Sequence, residues 1–335
     1  MKAKRVIIIA EAGVNHNGSL RMAKKLIDEA AKSGADFIKF QTFNAVDLVT
    51  KNASKADYQL KNTGGSKQLY MLKKLELSEA DHLILKKHAQ LKKIQFLSTA
   101  FDDKSILLLK KLKIKIGKIP SGEITSLPYL IKMARSFPNI ILSTGMSDML
   151  EIENALKILF KHGIRKKNIT VMHCTSEYPA PFENVNLLAM LSLKKKFGVD
   201  IGYSDHTKGV EVAVAAVALG ATVIEKHLTI SNNSPGPDHR ASLEPGEFRD
   251  MVNKIRNIEM ALGHSVKKPS AVELKNRIAA RKSIVAARNI KQGVPITESD
   301  IVIKRPGNGI SPMNWHQVIG KKARKDFKTD EQIVL

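Results

Sequence analysis

Asp200-Ile-Gly-Tyr-Ser-Asp-His206 and Val223-Ile-Glu-Lys-His-Leu-Thr229 are short apolar runs, separated by a stretch of helical length. A strand covered on both faces reads as a nearly continuous apolar run, and strand, crossover helix, strand is the unit of a parallel sheet. Working outward, six earlier runs have the same character, at 6–11, 36–42, 94–101, 116–123, 140–145 and 169–175. Amphipathic stretches lie between them, among them 19–33, 78–92 and 148–162, opened by Ser19, Ser78 and Asp148 as N-caps. Eight strand-then-helix repeats predict an α/β fold closed into a (β/α)8 TIM barrel.

The strand ends carry the chemistry. In chain order they offer Glu11; Lys39 and Gln41; Ser98 and Thr99; Ser121 and Glu123; Ser143 and Thr144; His173 and Thr175; Ser204, Asp205 and His206; Glu225 and His227. In such a barrel the C-terminal strand ends converge on one rim, where active sites are built. A single Ser or Thr there would merely mark the strand-to-loop transition. Eight polar ends in register point to a site.

The sequence changes character after Gly263. Residues 264–280, bearing Lys267, Lys268 and Pro269, read as a linker, helix-like or extended. Residues 281–335 then read as a small domain of short strands, with turns at Gly293, Gly307, Gly309 and Gly320. A segment that small is near the lower limit for an independent core and is expected to lean on the barrel domain, residues 1–263, or on a neighbouring subunit.

The chain has 335 residues, with 55 Lys and Arg against 32 Asp and Glu, a net charge of +23. Clustered basic residues would suggest nucleic acid. Here they are scattered, and short groups such as Lys194 to Lys196 sit at helix ends with no interleaved aromatic residues. The field suits instead an anionic small substrate. A single cysteine, Cys174, forms no internal disulfide, and Glu11 and Asn15 interrupt the apolar start before it reaches signal or membrane length, so a cytoplasmic protein without a membrane partner is expected.

His206 and His227 close adjacent strands and could share one divalent cation, with Glu11 nearby and His173 a weaker candidate. A rim carboxylate such as Glu123 is placed for proton traffic, its pKa raised by partial burial while a neighbouring lysine holds it charged; an ion pair bracing the rim is the alternative. Lys39 and Lys118, with Ser121 and Ser143, suit a phosphate and a carboxylate. Schiff-base formation by one of these lysines, as in a pyruvate aldolase, is the rival use.

Taken together, Ile9-Ala-Glu-Ala-Gly-Val-Asn-His-Asn-Gly18, Lys39-Phe-Gln-Thr42, Lys118-Ile-Pro-Ser-Gly-Glu123, Leu142-Ser-Thr-Gly-Met146, His173-Cys-Thr175, Gly202-Tyr-Ser-Asp-His-Thr207, Ile224-Glu-Lys-His227 and Gly236-Pro-Asp-His239 resemble the bacterial sialic acid (N-acetylneuraminate) synthases. Arg281-Lys-Ser283 and Lys304-Arg-Pro-Gly-Asn-Gly-Ile-Ser-Pro312 resemble the antifreeze-like, or SAF, domain at the C-terminus of that family. The resemblance implies an enzyme that condenses phosphoenolpyruvate with an N-acetylated amino sugar, acting as a homodimer in which each SAF domain caps the partner's barrel and Arg305 reaches the sugar. It implies that His206 and His227 bind Mn2+, with Mg2+ or Co2+ as alternatives, and that Glu11 orients water or sugar beside the ion. Phosphoenolpyruvate would be held by Lys39, Thr99, Lys118, Ser121, Ser143 and Ser204, with Gln41 and Asn15 lining the rim. Glu123 would manage protons, and Tyr178, Asp238 and Phe101 would meet the sugar. His173-Cys-Thr-Ser-Glu-Tyr-Pro179 departs from the family pattern at Ser176, where some members carry Asn. Legionaminic acid synthases share nearly all these motifs, including a segment like Tyr58-Gln-Leu-Lys-Asn-Thr63. The main expectation is therefore N-acetylmannosamine as the acceptor, with a 2,4-diacetamido-2,4,6-trideoxy-mannose as the alternative.

Overall fold

A computed structural model of the chain describes residues 5–65 and 67–335. It divides into two compact units, one ending at Gly263 and the other His264–Leu335. In the first, eight parallel strands close in sequence order into a barrel: β1 Ile7–Gly13, β2 Phe37–Thr42, β3 Gln95–Ala100, β4 Ile116–Ile119, β5 Asn139–Ser143, β6 Ile169–Cys174, β7 Asp200–Asp205 and β8 Val223–His227. β8 pairs back onto β1, with Glu11 opposite His227.

All eight expected strands are present, and most ends differ by a residue or two. The exception is the fourth, which stops at Ile119. Pro120 has no N–H to donate to a ladder, and Ser121–Glu123 turn into a short 3-10 helix, so Ser121 and Glu123 stand on a loop above the barrel. The three helices read from sequence span Leu20–Lys32, Glu79–Leu91 and Met149–Lys161. Ser19, Ser78 and Asp148 cap them, each side chain accepting a bond from a backbone N–H of the first turn.

Alternation along the strands builds the layers. One set of side chains, including Ile8, Ile38, Phe40, Leu142, Val171, Ile201 and Ile224, packs outward against the helices. The other set faces the barrel axis, where Ile9, Phe37, Leu97, Ile141, Met172 and Val223 form a separate apolar cluster. Two residues further along each strand the inward positions become Glu11, Lys39, Thr99, Ser143, Cys174 and Glu225. The apolar plug thus forms a floor, and the polar layer stands on it.

The β2 connection, residues 43–78, carries three short helices, Ala45–Leu48, Asp57–Thr63 and Gln68–Lys73. In the second unit β9, Ser283–Ala286, pairs antiparallel with β10, Ile301–Lys304, over a core that includes Ile284, Ile296, Phe327 and Ile333. Residues 264–280, read from sequence as a linker, group with this unit and contain the helix Ala271–Ala280, which buries none of its residues.

Candidate active site

Above the floor lies a cavity of about 480 Å3 at the C-terminal ends of the strands. Its lining includes Glu11, Lys39, Gln41, Thr99, Phe101, Lys118, Ser121, Glu123, Ser143, Tyr178, Ser204, His206, His227 and Asp238, which is every candidate from the barrel sequence except Asn15 and His173. Arg305 belongs to the second unit, where its Nε donates to Ala280 O at 3.1 Å.

The bottom of the cavity is a web of buried charges. Lys39 Nζ lies 2.9 Å from Glu11 Oε2 and donates to Thr99 Oγ1 at 2.8 Å. Lys118 Nζ donates to Ser143 Oγ at 2.5 Å. Between the two ammonium groups sits Glu225, 3.6 Å from each, accepting from Ser204 Oγ at 3.0 Å. Glu225 Oε2 is buried without a hydrogen-bond donor among the described residues. Sequence reasoning noted Glu225 as a strand end and gave it no role. Its signal was period two along β8, which puts Val223, Glu225 and His227 on one face.

The same web sets the charge states. Burial disfavours the Lys39 charge, but Glu11 and Glu225 outweigh it and hold its pKa above the ordinary value. For Lys118 burial wins and the pKa falls, despite Glu225. Burial pushes the Glu11 carboxyl up, against the pull of Lys39. Burial also opposes the Glu225 charge, yet Lys118 and Lys39 together hold its pKa down. The site therefore offers two lysines and one firmly ionised carboxylate to an incoming anion.

Glu123 is half-buried, and burial raises its pKa as expected. The neighbouring lysine does not reach it, because Lys118 points into the barrel toward Ser143 and Glu225. Ser121 accepts from Gly145 N at 2.9 Å and stands 3.3 Å from Cys174 Sγ. A Cβ at Gly145 would lie 3.0 Å from Ser121 Oγ and 2.3 Å from Ser176 Oγ, so a larger residue there would displace these hydroxyls. Asn15 is also displaced from its expected place. It braces the loops after β1 and β8, donating to Leu228 O and Ser242 Oγ, and does not line the cavity.

Higher up, the His206 and His227 rings lie 5.6 Å apart between centroids, and the Tyr178 ring packs 4.2 Å from His206. His206 Nδ1 is 2.6 Å from Thr175 O, so it carries the proton and leaves Nε2 as an acceptor. His227 Nδ1 is buried with no hydrogen-bond partner among the described residues. Burial lowers the pKa of both rings, that of His227 well below the ordinary value with help from His206 and Lys39. His206 Nε2 has only a long 3.4 Å contact, to Ser204 Oγ, and two neutral imidazoles so placed fit a divalent cation. Among the described residues no group of three or more His, Cys, Asp and Glu is arranged to hold an ion, so the protein would supply two ligands. His173 is outside the site, its Nε2 2.7 Å from Val185 O and its ring against Tyr203 on the helix side.

The mouth differs in composition. The β2 connection contributes Leu48, Val49, Tyr58, Gln59, Gln68, Met71 and Leu72 to the wall. Tyr58 stacks on Tyr178 at 5.0 Å, and Asn62 donates to Pro237 O at 2.7 Å, tying the connection to the segment that carries Asp238. Burial alone raises Asp238 to about 7.

Comparison with known proteins follows the same division. The NeuB family profile matches residues 26–267 and the SAF domain profile residues 281–335. The chain belongs to the NeuB family. It is 54% identical to the N,N'-diacetyllegionaminic acid synthase of Campylobacter jejuni over 98% of this chain and 99% of that one. Against the enzyme of the same name from Legionella pneumophila the identity is 46%, over 94% and 89%. The crystal structure of N-acetylneuraminic acid (sialic acid) synthetase from Leptospira borgpetersenii, in complex with citrate, superposes with a TM-score of 0.73 at 37% identity, over 81% of this chain and 90% of that one. The barrel and tail of this NeuB family member are thus shared with nonulosonic acid synthases along nearly their full length.

Proposed function

We propose that the protein condenses phosphoenolpyruvate with 2,4-diacetamido-2,4,6-trideoxy-mannose and water, yielding N,N'-diacetyllegionaminic acid and phosphate. The observation that carries the reaction class is the floor of the cavity, where Lys39 and Lys118 converge with Thr99, Ser143 and Ser204 beneath two neutral histidines. The choice of sugar is supported by the relatives at 54% and 46% identity. N-acetylneuraminate synthesis from N-acetylmannosamine, the main expectation from the motifs, becomes the second reading, supported by the Leptospira enzyme at 37%.

In this account the phosphate and carboxylate of phosphoenolpyruvate take up the Lys39 and Lys118 charges, with hydroxyl donors from Thr99, Ser121, Ser143 and Ser204. Charge matching at the bottom leaves C3 directed up toward the sugar. C3 forms the new bond to the aldehyde carbon, water adds at C2, and phosphate departs with cleavage of the C2–O bond. Glu123, its pKa raised by burial, takes one proton of the adding water and passes it to the departing phosphate oxygen, while the second, lost as the C2 hydroxyl becomes the ketone, ends on the former aldehyde oxygen. Glu11, beside His227 in the ladder, orients water or sugar. Tyr178, Phe101, Gln41 and Asp238 enclose the acceptor and exclude solvent. His206 and His227 would hold a divalent cation, Mn2+ ahead of Mg2+ or Co2+, and the chemistry it supplies when bound is Lewis-acid polarisation of the aldehyde.

The proposal includes a cytoplasmic homodimer in which the C-terminal unit of one copy closes the other's cavity and Arg305 meets the acetamido group. Met146 at the cavity mouth is 76% exposed, an apolar surface of the kind such a cap would cover.

Phosphate release from phosphoenolpyruvate, measured with each sugar in turn, with EDTA and after Mn2+ is restored, tests the reading. Metal-dependent release that favours the diacetamido sugar is expected. Preference for N-acetylmannosamine would transfer the assignment to N-acetylneuraminate, and no release with either sugar would refute both.

A further inference from the structure

Apart from the web at the cavity bottom, the barrel holds a buried ion pair that the chemistry above does not use. Lys226 and Asp205 are both fully buried, with Lys226 Nζ 2.7 Å from Asp205 Oδ2. The same ammonium donates to Thr207 O at 2.6 Å. Asp205 Oδ1 in turn accepts from Thr207 N at 3.0 Å and from Thr207 Oγ1 at 2.8 Å. The pair lies on the outer, helix-facing side of β7 and β8, because alternation sends Ser204, Glu225 and the two histidines inward. Glu211 and Glu247 are the other charged groups whose fields reach Lys226 from the surrounding helices.

A buried ion pair is a poor source of stability, since apolar residues of similar volume do as well or better. What it does provide is one fixed arrangement of the strands that carry it. The ladder between β7 and β8 ends at Asp205 opposite Lys226. His206 and His227 are the next residues along, past the last rung. Each is then held by a different neighbour. His206 O accepts from Ala180 N and its Nδ1 bonds Thr175 O, whereas His227 O accepts from Leu243 N. On the outer face, Lys226 joins these two sets of contacts, because it grips β7 at Asp205 and the loop beyond His206 at Thr207. On the inward face Gly202 lets β7 approach β8, for a Cβ there would sit 2.7 Å from Val223 O.

We propose that Lys226, with Asp205 and Thr207, is a positioning residue that fixes the separation of the His206 and His227 imidazoles and thereby sets the affinity of the pair for a divalent cation. The inference rests on the proposed two-histidine site. Its test removes both charges together, Lys226→Met with Asp205→Leu, so that no unpaired charge is left buried. Full-length protein is stripped of metal and titrated with Mn2+, with free Mn2+ read by electron paramagnetic resonance. Thermal unfolding and phosphoenolpyruvate binding are measured on the same samples.

The expected result is a folded variant with phosphoenolpyruvate affinity within about twofold of wild type and Mn2+ affinity weakened about 10- to 100-fold, the range typical of outer-shell changes at metal sites. Thr207→Val, which keeps the ion pair and removes one hydroxyl, is expected to weaken Mn2+ about threefold, and it decides the question should the double variant not fold. Folded variants with wild-type Mn2+ affinity would overturn the proposal. His227→Ala separates the two failures. If it abolishes Mn2+ binding while the double variant binds normally, only the positioning role is wrong; if it binds normally too, the two-histidine site is wrong and the proposal falls with it.

Discussion

The bottom and the mouth of the same cavity are built on different principles. At the bottom, four ionisable side chains, Glu11, Lys39, Lys118 and Glu225, are buried within 4 Å of one another in chain-like contact, each on a rigid strand. At the mouth the wall is aromatic and aliphatic, with Tyr58, Gln59 and Met71 drawn from the β2 connection. A strand-borne charge web selects by charge, and its geometry varies little with the loops. A wall on a long connection selects by shape and is free to change without disturbing the barrel. The contrast assigns the anionic substrate to the bottom and the identity of the sugar to the mouth.

The strongest challenge to that division is to remove a charge from the bottom. Replacing Lys39 or Lys118 by Met leaves buried carboxylate without its partner and deprives the anion of a cation, and truncation of such pairs costs roughly 2–5 kcal/mol. The expected loss in kcat/KM for phosphoenolpyruvate is about 10²- to 10³-fold, with the KM of the sugar changed far less. Equal losses for both substrates would erase the contrast. Sodium borohydride with pyruvate provides a companion check. The lowered pKa of Lys118 is in the direction an imine-forming lysine needs, but its engagement with Ser143 and Glu225 predicts no trapped adduct.

Glu225→Gln sharpens the account of how the lysines are held. Glu225 raises the Lys118 pKa against burial, so its neutralisation lets that pKa fall further. Lys118 then loses its proton at lower pH, and the alkaline limb of kcat/KM for phosphoenolpyruvate is expected to move to lower pH. An unmoved limb would mean that Lys118 is not the group that titrates.

The smallest effect is expected at the mouth. Gln59→Ala and Tyr58→Phe should raise the KM of the acceptor sugar roughly three- to tenfold while leaving that of phosphoenolpyruvate within about twofold. Steady-state kinetics with each substrate varied in turn would show it. An effect on phosphoenolpyruvate instead would place the β2 connection over the wrong substrate.

How far the sequence reached follows the same line. The barrel was legible because each strand is covered on both faces, and runs such as 36–42 and 169–175 therefore stand out as apolar against their flanks. Glu11, Lys39, Thr99, Ser143 and Ser204 were legible because they end those runs. Glu225 was passed over because Glu225-Lys226-His227 reads as one polar cluster, and only alternation separates the inward carboxylate and imidazole from the outward lysine. Asn15 was misplaced for a related reason. It follows β1 in a turn, where strand parity no longer says which way a side chain points. The mouth was the least legible part, since the helices of the β2 connection run only Ala45–Leu48, Asp57–Thr63 and Gln68–Lys73, too short for a periodic pattern to declare itself.

The most direct test of the central claim uses phosphoenolpyruvate labelled with 18O at the oxygen bridging C2 and phosphorus, incubated with the diacetamido sugar and Mn2+. The account predicts one nine-carbon 2-keto acid per phosphate released, with the label in the phosphate. Unlabelled phosphate, or no keto acid formed, would contradict it.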